Sequence, residues 1–256
     1  MMKNKNALSL GVDYDSWYGY GRKEMLVTDI SPCTNSHMIL SGISGSGKTY
    51  ALIWLLKNVI LADSSEEAKA KGKIFFADFK QDDSFTFLRK CSHYYPYKKS
   101  VEALERVYEI LHKRQSGEDL SRQPVTLVWD EYMANILSLQ GEDKKKAVDV
   151  MNKVSEILML GRSLAVRFIC SCQRPDAKAF PDGSRLNYGV IMILGAPMRS
   201  IYEMLLPREC IDMVENRKFG RGEGVVLLQG SELHFVKVPV VRNVERMQQI
   251  CMEALS

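Results

Sequence analysis

No cysteine pair in this 256-residue sequence has C-x-x-C spacing, although six cysteines lie at 33, 91, 170, 172, 210 and 251. The spacing offers neither a zinc ligand set nor a disulfide framework, so the thiols read as buried side chains in a reducing compartment. Long apolar runs are missing too. Nothing approaches the roughly 18 residues of a membrane span, and the strand-like runs, such as residues 190–194, are far shorter. The opening Met1-Met2-Lys3-Asn4-Lys5-Asn6 is too polar to begin a secretion signal. Internal repeats and low-complexity segments are absent, which sets aside solenoids and disordered linkers. Strong charge of one sign is also lacking. The 35 Lys and Arg against 31 Asp and Glu leave +4, a balance that permits a polyanionic partner without requiring one. A cytoplasmic chain is expected, with any membrane attachment supplied by a partner protein.

What is present suits a packed core. Apolar residues make up 46% and charged residues 26%, ordinary values for a globular chain. Strands are predicted at 37–40, 73–78, 125–130, 166–172 and 190–194, most of them continuously apolar. Helices are predicted at 50–61, at 100–116 and at 143–160, where Val150, Val154, Ile157 and Leu158 form a stripe. Buried strands alternating with helices predict an α/β fold with a mainly parallel sheet covered on both faces. A hairpin is expected from 224–228 and 233–238, then a last helix capped by Asn243. Residues 1–35 read as an irregular cap of short strands and turns, 64–72 as a polar connection, and 1–256 as a single domain.

The most specific signal is Gly42-Ile43-Ser44-Gly45-Ser46-Gly47-Lys48-Thr49, a complete G-x-x-x-x-G-K-[ST] phosphate-binding loop. It lies between a predicted strand and a predicted helix, the context the motif needs. Its glycines let backbone N–H groups turn inward on phosphate oxygens, and the helix N-terminus, entered through Tyr50, adds partial positive charge. Lys48 can reach the β- and γ-phosphates, and the Thr49 hydroxyl can ligate Mg²⁺. ATP and Mg²⁺ are the expected ligands.

Two further strand ends complete the chemistry. Leu127-Val128-Trp129-Asp130-Glu131 is an apolar strand closing on two acids. Asp130 can hold Mg²⁺, while Glu131 points elsewhere and can polarise a water aimed at the γ-phosphate. That second acid separates hydrolases from P-loop kinases. Gln173, closing the strand 166–172, can hydrogen-bond the γ-phosphate or the attacking water.

These residues give the chain a resemblance to the FtsK/SpoIIIE motor domains of the FtsK–HerA group of ring ATPases. The resemblance runs nearly end to end. It rests on the phosphate loop, Asp78-Phe79-Lys80 after the second strand, Asp130-Glu131-Tyr132, a loose Arg162-Ser163-Leu164-Ala165, Ser171-Cys172-Gln173-Arg174-Pro175, and a late Gly220-Arg221-Gly222-Glu223. The Gln-Arg-Pro and the late Gly-x-Gly-Glu are the specific features, since a generic P-loop ATPase lacks both. One departure is plain: Gly189-Val190-Ile191 stands where the family has a Pro-Thr-Arg segment.

The resemblance implies a RecA-like domain in a homo-hexameric ring that hydrolyses ATP between subunits and draws double-stranded DNA through its pore. It also implies an arginine reaching the neighbour's γ-phosphate, with Arg162 the first candidate and Arg199 the second. A pore tracking a duplex needs basic side chains that meet phosphates without reading bases. Arg174, Lys178 and Arg185 form one candidate set, and Lys144, Lys145 and Lys146 another. A bare motor of this size is nearer in build to conjugative or mobile-element proteins than to large chromosome translocases. The alternatives are a protein-secretion ATPase of the same family and a nucleotide-binding regulatory subunit.

Overall fold

The computed structural model describes residues 6–31, 34, 37–64 and 73–256. Most of the predicted connection at 64–72, and Cys33, lie outside them. Among the described residues one sheet has ten strands: β1 (Ala7–Asp13), β2 (Met25–Asp29), β3 (Met38–Gly42), β4 (Lys73–Asp78), β5 (Tyr94–Pro96), β6 (Val125–Asp130), β7 (Val166–Cys172), β8 (Val190–Leu194), β9 (Glu223–Leu228) and β10 (Glu232–Lys237). The helices are α1 (Tyr14–Tyr20), α2 (Lys48–Asp63), α3 (Ser100–Ser116), α4 (Tyr132–Glu142), α5 (Lys144–Leu160), α6 (Arg199–Leu205), α7 (Arg208–Val214) and α8 (Val244–Leu255). Strand order is β2-β1-β10-β9-β8-β3-β7-β6-β4-β5. From β8 to β5 all pairings are parallel; β9, β10, β1 and β2 extend the sheet antiparallel.

Continuous apolarity follows from cover on both faces. Every residue of β3, β6, β7 and β8 is buried, as expected of strands sandwiched between helices. One core packs α3, α4, α5, α6 and α7 on the sheet; the other packs α2 and α8 on its opposite face. Pairing register levels the carboxyl ends of the central strands. Ser41 sits opposite Cys172 and Asp78 opposite Asp130. The loops leaving β3, β4, β6 and β7 therefore open on one end of the sheet, where a doubly wound fold places its ligand.

The predicted strands and long helices are present, their ends shifted by a residue or two. The hairpin is β9–β10, and Asn243 caps α8 by accepting from Arg246 N–H at 2.8 Å. The segment expected to be an irregular cap is more regular: β1 and β2 lengthen the sheet beside β10, with α1 between them. Helix α1 buries none of its residues, so it shows no apolar period; the Asp13 carboxylate starts it by accepting from Ser16 N–H at 2.7 Å. Of the cysteines, 170, 172, 210 and 251 are buried unpaired thiols and Cys91 is partly buried.

Two buried cations lock the far end of the sheet. Arg167 pairs with Asp63 at 2.9 Å and also donates to Thr126 Oγ1 and Ile30 O. Arg114 donates to Asp119 and to the carbonyls of Gln123, Leu164 and Ala165. Nearby, Phe168 N–H donates to His37 Nδ1 at 3.1 Å, so the neutral ring carries its proton on Nε2. Burial, reinforced by Arg167 and Arg162, pushes the His37 pKa down to about 3 from 6.5. The unfolded chain takes up that proton first, so stability is full above pH 6.5 and drains away as pH falls towards 3. At pH 5 the loss from this one group is about 2 kcal/mol. His37→Gln keeps an acceptor for Phe168 and cannot titrate. Urea unfolding at pH 7 and 5 should show the variant losing about 2 kcal/mol less than the parent, and an unchanged pH slope would reject this origin for acid sensitivity.

Candidate nucleotide site

The phosphate loop joins β3 to α2 at the carboxyl end of the sheet. Gly47 caps α2 with φ 90°, a left-handed conformation that favours glycine, and a Cβ there would lie 3.1 Å from Gly222 N. At the other end of the loop a Cβ on Gly42 would meet Ser46 Oγ at 2.5 Å. No side chain caps α2, so its first N–H groups are left for an anion. Ile43, Ser44, Gly45, Gly47, Lys48, Thr49 and Tyr50 line a cleft of about 450 Å³; Gly42 and Ser46 sit behind it as its buried floor. Tyr50 also braces the loop from its hydroxyl, which accepts from Val241 N–H at 2.7 Å and donates to Pro239 O at 3.3 Å.

Asp130 ends β6 at 2% exposure. Its Oδ1 is buried with no hydrogen-bond partner, and burial pushes its pKa up to about 6. Such an orphaned carboxylate oxygen fits a hard divalent cation with oxygen ligands. Among the described residues no three His, Cys, Asp or Glu gather as a metal cluster. A cation here would draw its remaining ligands from phosphate and water, the usual arrangement for Mg²⁺.

Glu131 follows with φ 53° and ψ 43°. This left-handed conformation costs a non-glycine residue about 1 kcal/mol and turns the side chain away from Asp130, towards the cleft. Such strain persists where the surroundings enforce it, commonly at functional sites. Lys48 Nζ donates to Glu131 Oε1, forming a buried ion pair between the two motifs. Gln173 Nε2 reaches the same oxygen at 3.4 Å. The structure thus joins Lys48 and Gln173 through one oxygen of Glu131.

Other residues around the cleft were not among the predicted site residues, although Asp78-Phe79-Lys80 stood out as a motif. Asp78 accepts from Gln81 N–H at 2.7 Å and Tyr94 O–H at 2.6 Å, which fixes the turn that sends Lys80 and Asp82 into the cleft. Burial raises the Asp78 carboxyl above its ordinary range. Arg221, Val244, Met247 and Gln248 also line the cleft. The late Gly-x-Gly-Glu signalled Arg221; α8 carried no signal, because its role depends on the chain folding back over α2.

The remaining candidates lie elsewhere. Arg174 and Lys178 line a second groove of about 450 Å³, which shares Glu131 and Gln173 with the nucleotide cleft. The Arg185 side chain lies outside the described residues. Lys144, Lys145 and Lys146 are exposed in the first turn of α5 and do not line that groove. Arg162 is exposed beside His37, Gly189 and Gln229, at the amino ends of β3 and β8, remote from its own phosphate loop. Arg199 opens α6 and pairs with Glu203 at 2.9 Å and with Glu215.

The chain is 27% identical over 221 residues to the FtsK domain-containing protein YdcQ of Bacillus subtilis strain 168, which spans 84% of this chain and 45% of YdcQ. The chain is thus similar to an FtsK domain-containing protein along most of its length. It covers less than half of that curated relative's length, and no family model matches it. Among solved structures, the pCW3 conjugation coupling protein TcpA, in its monomer form with ATPgS, superposes with TM-score 0.71 at 17% identity over 98% of this chain and 71% of TcpA. The cytoplasmic domain of the Thermomonospora curvata type VII secretion ATPase EccC superposes with TM-score 0.69 at 18% identity, over 100% of this chain and 32% of EccC. At these identities the likeness establishes a shared fold.

Among the described residues Lys48 pairs with one anion, Glu131. Lys48→Ala should weaken ATP binding by about 10- to 100-fold, the worth of a charge-assisted contact of roughly 1.5–3 kcal/mol. It should also destabilise the nucleotide-free chain by leaving Glu131 unpaired. Calorimetric titration with ATP checks the first and thermal unfolding the second; undiminished ATP affinity would remove Lys48 from the phosphate site.

Proposed function

We propose that this FtsK-like domain is an ATPase motor that moves double-stranded DNA through a homo-hexameric ring, in conjugative or mobile-element transfer. The observation that carries the reading is the convergence of Lys48, Thr49, Asp130, Glu131 and Gln173 at the level carboxyl ends of β3, β7 and β6. Glu131 takes the proton of a water and steers its oxygen at the γ-phosphorus. Lys48 leaves the Glu131 carboxylate for the β- and γ-phosphates, which frees that base as ATP binds. Gln173, within reach of the same carboxylate, holds the water or reports on the γ-phosphate. Thr49 and Asp130 would hold Mg²⁺, which would supply charge neutralisation on the phosphate oxygens. Arg162 of the neighbouring subunit contributes positive charge in trans.

Arg174 and Lys178 support the DNA part of the reading. They line the second groove beside Glu131 and Asp176, and Arg174 follows directly on Gln173, so a change at the γ-phosphate is one residue from a contact with polyanion. Lys144, Lys145 and Lys146 sit at a helix N-terminus, where positive charge opposes the helix dipole; a phosphate backbone would relieve that conflict. TcpA is a conjugation coupling protein, which favours DNA as cargo. A protein cargo is the second reading, favoured by the apolar part of the groove at Met133, Ile136 and Leu137 and by the likeness to a secretion ATPase.

Glu131→Gln should keep Mg-ATP affinity and lower turnover by about 10²- to 10³-fold. Steady-state turnover equal to the parent would sink Glu131 as the base. Linear duplex should stimulate the parent ATPase, and stimulation by peptide alone would transfer the proposal to protein cargo. Arg174→Ala, Lys178→Ala and Arg185→Ala combined should weaken duplex binding and shrink its log-salt slope by about 0.9 for each phosphate no longer neutralised, leaving ATP affinity intact. An unaltered slope would clear these three side chains of the role.

A further inference from the structure

The 220–223 turn is built into the phosphate loop from behind. Gly222 N–H donates to Ser46 O at 2.7 Å, and Val238 N–H donates to Gly222 O at 2.7 Å. This contact crowds Gly47, where a Cβ would lie 3.1 Å from Gly222 N and 3.3 Å from Arg221 Cγ. The turn itself is pinned by a buried carboxylate. Glu223 accepts from Gly220 N–H at 2.9 Å, from Lys237 Nζ at 2.6 Å and from the Tyr18 hydroxyl, and Lys237 also donates to Tyr18 Oη at 2.6 Å. Burial works against ionisation here, yet Lys237 and Tyr18 hold the Glu223 carboxyl below its ordinary range.

This pinned turn presents Arg221 to the cleft. Among the described residues its guanidinium has no hydrogen-bond or ion-pair partner. Every other cation facing the cleft is matched: Lys48 by Glu131 and Lys80 by Asp82. The cleft also has a polarity. Lys48, Glu131 and Gln173 mark the end where the γ-phosphate is cut. Val244 and Met247 of α8 give the apolar wall suited to a base. Arg221 Cγ lies 3.3 Å from where a Cβ on Gly47, the cap of α2, would stand, and Gly222 O accepts from Val238 N–H in the segment that leads to α8, so an anion meeting Arg221 on that side is the phosphate nearest the sugar.

We infer that Arg221 binds the α-phosphate of the nucleotide, as a second cationic arm in cis, with Glu223, Lys237 and Tyr18 as its positioning residues. The inference rests on the nucleotide-binding reading above. Through Tyr18 it also ties α1, which lies on the surface, to the phosphate loop: Tyr18 to Glu223, Glu223 to the turn, and Gly222 to Ser46.

The test is competition binding on the full chain, with ATP, ADP, AMP and adenosine displacing a fluorescent ATP analogue. Arg221→Ala should lose about 10-fold for ATP, ADP and AMP alike, the worth of one charge-assisted pair, and nothing for adenosine; Arg221→Lys should recover part of the loss. A loss confined to ATP, a loss shared by adenosine, or no loss would overturn the assignment. Glu223→Ala should mimic Arg221→Ala, add nothing when combined with it, and be rescued by Glu223→Gln, which still accepts from Gly220 N–H. Additive losses would overturn the positioning role. If the parent chain binds none of the four compounds, the nucleotide reading itself fails and Arg221 is not at issue.

Discussion

The ion pair between Lys48 and Glu131 is the contact on which the rest of the site depends. It joins the loop after β3 to the strand end of β6, and both side chains are buried. A buried charge that loses its partner costs several kcal/mol, as a rule roughly 3–5, so neither residue can be released without something to take its place. Under the proposed function the phosphates of a nucleotide would be that replacement for Lys48. Glu131 would then gain a water and keep the Gln173 amide, so that binding and arming the base would be one exchange of partners. The left-handed backbone at Glu131 belongs to the same design, since an ordinary extended residue there would carry its side chain to another face.

Asp130 is the counterpart of that pair. It has no cation of its own in contact, so burial drives its carboxyl towards the neutral form and leaves Oδ1 unsatisfied. One acid is neutralised by lysine, the other is left short of charge. Under the proposed function the site is complementary to a cation and a polyphosphate together: the phosphates would take Lys48 and the cation Asp130, so that two adjacent acids at one strand end would divide their work by environment alone.

Much of this was legible in the sequence because it resides in short contiguous motifs. The phosphate loop, Asp130-Glu131 and Gln173 each close a buried strand, and continuous apolarity marks those strands whatever surrounds them. Strands of the antiparallel wing were harder: β1 and β2 border an aromatic, glycine-bearing segment, and β5 has only three residues. Helix α1 buries nothing, while α6 and α7 are seven residues each and are separated at Pro207, so none offers a sustained period. Site residues reached by folding back were invisible for a different reason. Val244 and Met247 look like any amphipathic helix face, and only the packing of α8 on α2 turns them towards a ligand. Arg221 is intermediate: its motif stood out, but its meaning required the hydrogen bond from Gly222 to Ser46.

The placement of Arg162 bears on how such a domain would work with others. It sits where β3 and β8 begin, while the phosphate loop lies where β3 ends. Five residues of strand separate the two by about 16 Å, beyond the reach of an arginine side chain on the same sheet. An arginine so placed serves catalysis only if a second copy presents the beginning of its sheet to the end of the first. Such contacts are head-to-tail, and a head-to-tail contact between identical chains closes into a ring when its rotation allows. In the proposed hexamer each nucleotide would lie between the exposed Arg162 of one subunit and the Lys48–Glu131 pair of the next, so that releasing the pair in one copy and docking the arginine of its neighbour become a single event.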